Sequence, residues 1–232
     1  MSATLGFQYV KRNQILLTIE GGDGAGKSTL IAKIEELFRT NARSFLKTRE
    51  PGGTPAAEEV RSILLKNRNT QKPSALTELL LLEAARADHV EHVILPAFEQ
   101  QKIVLCDRFT DSTIAYQGFG RGIDLATIEF LNRIACQGVV PTLTIWLKLD
   151  PMASLKRIEQ RSAKEPNAAK DRMELESTEF HQRVFDGYAE IAKANPERVI
   201  EIDAGKTPEQ IFEDVCAHSL WKKYFSELRP KA

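Results

Sequence analysis

One octapeptide constrains this chain more than any other feature. Gly21-Gly22-Asp23-Gly24-Ala25-Gly26-Lys27-Ser28 fits the spacing G-x-x-x-x-G-K-[ST]. An apolar run from Ile15 to Ile19 precedes it, and Leu30, Ile31, Ile34, Leu37 and Phe38 follow at helical spacing. Strand, glycine loop and helix in that order form a cradle for phosphate. The glycines let backbone N–H groups turn inward, and the helix N-terminus adds the positive end of its dipole. In such a cradle Gly21 to Thr29 wrap the phosphates of a nucleoside triphosphate, Lys27 reaches the β- and γ-phosphates, and the Ser28 hydroxyl ligates Mg²⁺. A random chain of this length would match the spacing in roughly one case in a hundred.

The rest of the chain supports a parallel α/β sheet. Four more short runs read as strands: Phe45–Thr48, Ile103–Cys106, Leu143–Leu147 and Val199–Ile202. Helical patterns lie between them, as in Phe180, Val184, Phe185, Tyr188, Ile191 and Ala192. Strands alternating with helices predict a five-stranded parallel sheet covered on both faces. Thr207-Pro208-Glu209-Gln210 predicts a capped helix start, and Asp150-Pro151 predicts another. The helix expected from about Ala75 to Phe98 carries Leu79, Leu80, Leu81 and Leu82 in succession. Apolar side chains then point around most of its circumference, so one side meets the sheet and another suits a second subunit.

Composition removes several classes. Of 232 residues, 42% are hydrophobic and 28% charged, which is globular. Lys plus Arg number 32 and Asp plus Glu number 32, so a broadly basic nucleic-acid or membrane-surface binder is not expected. No run of about 18 apolar residues predicts a membrane span. Met1 to Asn13 lacks an apolar signal core and reads as a polar extension. Cys106, Cys136 and Cys216 are unpaired in spacing, which points to reduced thiols in a cytoplasmic protein.

The loop alone does not name a reaction, because many ATPases, GTPases and kinases share it. A guanine-reading N-K-x-D is missing: Leu147 stands where Asn is needed before Lys148-Leu149-Asp150. Asp107 is followed by Arg108-Phe109-Thr110, so the switch glycine of a GTPase is missing too. Instead, Arg49 and Arg108 stand at successive strand ends, where parallel sheets place their ligands. Guanidinium forks there suit a second phosphate group.

These blocks together resemble the thymidylate kinase family of P-loop nucleoside monophosphate kinases. The resemblance rests on Val104 to Gln117, Thr48-Arg49-Glu50-Pro51-Gly52-Gly53-Thr54, Ala84-Ala85-Arg86 and Asp171-Arg172-Met173-Glu174. It runs from about Ile15 to the C-terminal helix. It implies a three-layer P-loop fold with a small lid, ATP-dependent phosphorylation of dTMP, Mg²⁺ as cofactor and a homodimer. Asp23 matches a position that contacts the deoxyribose 3′-hydroxyl, and Arg49 and Arg108 match arginines that hold the acceptor phosphate. Arg86 matches the arginine at the thymine edge, Ser112 and Thr113 match positions beside the base, and Tyr116 matches the aromatic that crowds the sugar 2′ position. Gln117 is near, and Asp107 resembles the carboxylate that orders the Mg²⁺ shell.

Two departures stand out. Many members carry Phe four residues before the helix arginine, where it stacks on thymine; here the residue is Leu82. Leu covers a base by dispersion but lacks aromatic stacking. Some members carry Arg inside the loop where this chain has Gly24. The basic stretch from Lys156 to Arg172 supplies that charge in a lid spanning about 156–175. Lys156, Arg157, Arg161, Lys164, Lys170 and Arg172 outweigh Glu159, Glu165 and Asp171 there, and Pro166-Asn167-Ala168-Ala169 predicts a mobile break between helices. Arg157, Arg161 and Arg172 are the candidates to meet the transferring phosphoryl group. The whole chain, 1–232, is expected to form one kinase domain. Kinases acting on dUMP or dCMP, a non-catalytic ATP-binding switch and a DNA-tracking ATPase are the competing readings.

Overall fold

In the computed structural model the described residues are 14–66, 72–164 and 171–228. The polar extension Met1–Asn13, the break from Pro166 to Ala169 and the lid residue Lys170 lie outside them. Five strands, β1 (Leu16–Glu20), β2 (Phe45–Arg49), β3 (Ile103–Asp107), β4 (Leu143–Lys148) and β5 (Val199–Asp203), form one parallel sheet in the order β2-β3-β1-β4-β5. Each of the five expected strands is present, extended by a residue at its C-terminal end. β1 is central, in register with β3 at Leu17 opposite Leu105 and with β4 at Leu17 opposite Leu143.

Period-two alternation explains the three layers. Leu17 and Ile19 of β1 and Ile103 and Leu105 of β3 face one way, onto helix α1 (Lys27–Thr40) and the C-terminal helices α9 (Pro208–Ala217) and α10 (Ser219–Phe225). Leu16, Val104 and Cys106 face the other way, onto Val90, Ile94, Phe98 and Phe109. Helix α8 (Thr178–Ala194) buries Phe180, Val184, Tyr188 and Ile191 against Trp146 and Tyr116. Both faces of the sheet are thus covered, as a parallel sheet requires.

Helix ends follow the local chemistry. At α9, Thr207 Oγ1 accepts from Gln210 N at 3.3 Å and Gln210 Oε1 accepts from Thr207 N at 3.1 Å. Helix α7 (Pro151–Lys164) starts where Asp150 Oδ1 accepts from Met152 N and Ala153 N. The long apolar rod expected from Ala75 to Phe98 is α3 (Ala75–His89), one π-helical stretch (Val90–Ile94) and α4 (Leu95–Glu99). Pro96 lacks the N–H that a regular ladder needs, and the widened turn absorbs it. Its four leucines divide: Leu79 is fully buried, Leu81 and Leu82 are half-buried, and Leu80 is exposed. No helix among the described residues is long and apolar enough to cross a membrane.

Candidate active site

The glycine loop folds over the end of β1 and leads into α1. Gly21 has φ +134°, and a Cβ there would lie 2.6 Å from the Leu147 carbonyl oxygen. Gly26 is the α1 N-cap in the left-handed region, at φ 96°. Lys27 donates from Nζ to the carbonyls of Gly21 at 3.1 Å and Gly22 at 2.9 Å, and stands 3.7 Å from Asp23 Oδ1. Burial lowers the Lys27 pKa and Arg108 adds to that, against the nearby carboxylates.

Two cavities open beside this loop. The first is lined by Gly24, Gly26, Lys27, Ser28, Arg49 and Asp107, with Arg157 and Arg161 from α7. The second runs inward past Leu82, Arg86, Ser112, Thr113, Tyr116 and Gln117. Asp23, Glu50, Arg61, Arg108 and Asp171 line both. The expected loop residues Gly21 and Ala25 are buried, Gly22 is half-buried and Thr29 is exposed, and none of the four lines either cavity.

Arg108 sits where the cavities meet, at φ +69°. It donates to Asp23 Oδ1 at 2.7 Å, the Gly21 carbonyl at 2.9 Å, Ser112 Oγ and Tyr188 Oη at 3.2 Å, and Tyr116 Oη at 3.3 Å. Burial alone would raise the Asp23 carboxyl, but Arg108 and Lys27 outweigh it and hold it at about 2. Arg49 lines only the first cavity, where Glu58 takes its Nη2 at 3.1 and 3.0 Å. Asp107 Oδ1 is buried with no hydrogen-bond partner among the described residues.

The inner cavity is built on buried charge. Arg86 donates from Nε to Glu50 at 2.8 Å, from Nη1 to Glu83 at 2.8 Å and Asn132 at 2.6 Å, and from Nη2 to Thr113 at 2.8 Å. Burial opposes its charge, but Glu50 and Glu83 outweigh that and hold Arg86 protonated. His89 fixes Glu50 from behind, with Nδ1 3.0 Å from Glu50 Oε1 and Nε2 2.6 Å from Thr48 Oγ1.

The three basic residues expected of the lid separate in space. Arg157 donates to the carbonyls of Ala204 at 2.9 Å and Gly24 at 3.4 Å, and Arg161 to Glu174 at 2.5 Å. Arg172 lies apart from them, buried in the inner cavity, donating to the Leu64 carbonyl at 2.8 Å and Glu78 Oε2 at 2.5 Å.

Sequence reasoning missed four contributors. Arg61, on helix α2 (Pro55–Leu65), lines both cavities and donates to the Pro51 carbonyl at 3.0 Å. Glu20 accepts from Phe109 N at 2.7 Å, Ser112 Oγ at 2.6 Å and Tyr188 Oη at 3.0 Å. Burial, with Asp111 beside it, pushes Glu20 up to about 7, against its hydrogen bond from Ser112. A carboxylate closing an apolar strand was the signal for Glu20; Tyr188 and Glu78 read as ordinary helix residues and carried none.

Comparison with known proteins agrees with this geometry. A family model described as thymidylate kinase matches residues 19–215. A thymidylate kinase of Halalkalibacterium halodurans is 44% identical over 198 residues, covering 85% of this chain and 92% of that protein. One from Gloeobacter violaceus is 45% identical over 201 residues, 87% of this chain and 92% of its own. The crystal structure of thymidylate kinase from Ehrlichia chaffeensis superposes with a TM-score of 0.69 at 35% identity, covering 88% of this chain and 96% of that one. Phosphate loop, doubled cavity and sequence kinship converge, and this chain belongs to the thymidylate kinase family.

Proposed function

We propose that ATP lies in the cavity of the glycine loop and dTMP in the inner cavity, so that the two phosphate chains meet at Arg108. The reaction is ATP-dependent phosphorylation of dTMP to dTDP. The observation that carries this division is that Asp23, Arg61 and Arg108 line both cavities. Cationic groups at that junction face donor and acceptor phosphates together.

The dTMP phosphate has its second pKa near ~6, so at neutral pH it is already mostly the dianionic nucleophile and needs no general base. The protein's task is alignment and charge neutralisation. Lys27 exchanges its carbonyl partners for phosphate oxygens, Arg108 and Arg49 hold the acceptor phosphate, and Arg61 joins them. Arg157 and Arg161 of the lid, about 156–175, approach the transferring phosphoryl group as the lid closes and excludes water. Arg172 serves the acceptor side through Glu78. Arg86 reads the base, with Thr113 and Gln117 beside it and Leu82 covering its face. Asp23 and Tyr116 border the sugar.

Mg²⁺ fits the oxygen ligands present. Ser28 lines the ATP cavity, and the buried Asp107 Oδ1 has no protein partner among the described residues. When bound with ATP, the ion supplies charge neutralisation on the phosphate oxygens. Chain 1–232 acts as one cytoplasmic kinase domain. It pairs as a homodimer through neighbouring helices: α3 exposes Leu76 and Leu80, and α6 (Leu125–Ala135) beside it exposes Phe130 and Ile134.

A coupled assay of ADP release across dTMP, dUMP and dCMP tests this reading, with dTMP the expected preferred acceptor. Lys27→Ala and Arg108→Ala should each lower turnover on the order of 10²-fold or more. Near-normal dTMP phosphorylation by either variant would overturn the assignment.

A further inference from the structure

Glu78 lies on α3, lines the acceptor cavity and is 2% exposed. Three side chains donate to its carboxylate. Gln117 Nε2 reaches Oε1 at 2.7 Å, Arg121 reaches both oxygens at 3.2 and 3.3 Å, and Arg172 Nη2 reaches Oε2 at 2.5 Å. Two guanidinium groups bind it, so it acts as a hydrogen-bond acceptor. A primary amide facing such a group must present its NH₂ end. Gln117 Oε1 is therefore turned the other way, and no described residue donates to it.

We propose that Glu78 is a specificity-determining positioning residue, which fixes the Gln117 amide so that an acceptor faces the nucleobase. The inference rests on the reading above that dTMP occupies this cavity. Phosphate belongs beside the Arg61 and Arg108 guanidinium groups that line both cavities, which puts the base toward Arg86 and Gln117. There Arg86 commits four of its five N–H groups to Glu50, Glu83, Asn132 and Thr113. The fifth N–H is a donor for a carbonyl oxygen. One donor from Arg86 and one acceptor from Gln117 match the O4 and N3–H of thymine. Cytosine presents the opposite polarity, an amino donor and an N3 acceptor, and meets two mismatches. Uracil shares the thymine edge, so the device separates thymine and uracil from cytosine.

The Glu78→Gln variant tests the assignment by reversing the polarity. Arg121 and Arg172 can only donate, so they take the new carbonyl and turn its NH₂ toward Gln117. Gln117 must then turn its own carbonyl back and show its NH₂ to the base. The readout is the ratio of kcat/KM for dTMP to that for dCMP, which should fall at least about tenfold, with the loss for dTMP falling on KM more than on kcat. Gln117→Leu removes the acceptor while leaving the arginine contacts of Glu78 intact, and should lower the ratio similarly. Adding Glu78→Gln to Gln117→Leu should shift the ratio no more than about twofold further, because the two act through one group. An unchanged ratio in Gln117→Leu overturns the proposal, even if Glu78→Gln does not fold. Equal losses for both nucleotides in a folded Glu78→Gln also overturn it, since that is the mark of a structural role. A wild-type enzyme that prefers dCMP would instead overturn the placement of dTMP on which the inference rests.

Discussion

Replacing Glu20 with Gln probes the carboxylate held beneath the phosphate loop. Glu20 is fully buried, and burial together with Asp111 raises it from 4.5 to about 7. In the unfolded chain it ionises near its ordinary value, so between about pH 4.5 and pH 7 the folded state binds the extra proton. Stability from this group is therefore complete below the unfolded pKa and is lost as pH rises through the folded one. Each pKa unit corresponds to about 1.4 kcal/mol, which sets an upper bound near ~3.5 kcal/mol; the window from pH 5 to pH 8 samples roughly 2 kcal/mol of it. Glutamine keeps the acceptor for Phe109 N, and the Ser112 and Tyr188 hydroxyls can reverse to accept from its NH₂. Urea unfolding of both proteins at pH 5, 6, 7 and 8 measures the effect. Carboxylates far from Glu20 titrate alike in the two proteins and cancel in the difference. Glu20→Gln should gain about 2 kcal/mol on the wild type between pH 5 and pH 8. A difference constant within about 0.5 kcal/mol across that range would refute the raised pKa.

Two further substitutions test the scaffold. Gly21→Ala places a Cβ 2.6 Å from the Leu147 carbonyl at φ +134°, which costs on the order of 1–3 kcal/mol and displaces the loop. The KM for ATP should rise at least about tenfold, and an unchanged KM would mean that the loop does not hold the nucleotide as described. Trp221, 2% exposed, packs on Phe225 at 4.4 Å and stacks on Phe38 at 6.5 Å between ring centroids. Trp221→Ala should cost about 3–5 kcal/mol in denaturant unfolding, and a loss below 1 kcal/mol would mean that the C-terminal helix is not part of the core.

Much of the fold could be read in advance because its signals are local. Each strand is an apolar run with flanking turns, and the capping box at Thr207 is complete within four residues. The kinked rod was harder. Leucine periodicity runs unbroken to Phe98, while Pro96 costs a hydrogen bond whose remedy, a π-helical stretch over Val90–Ile94, has no sequence mark of its own. Arg172 shows a different limit. It stands in a basic stretch beside Arg157 and Arg161, yet it is drawn inward by Glu78, 94 residues away. Sequence shows which cations are available, whereas burial among partners decides where each one goes.

The chain by itself determined the phosphate loop and the five strands, because glycine spacing, alternation and capping act within a few residues of chain, and its signature blocks carried the resemblance to a kinase family. Tertiary structure alone decided the strand order β2-β3-β1-β4-β5 and the convergence of Glu20 with Tyr188 across 168 residues. It also decided the joining of two cavities at Arg108 and Arg61. The physical reason is desolvation. A carboxylate or guanidinium takes its charge state and orientation from the groups that replace its water, and those groups arrive from distant elements only when the sheet closes over them.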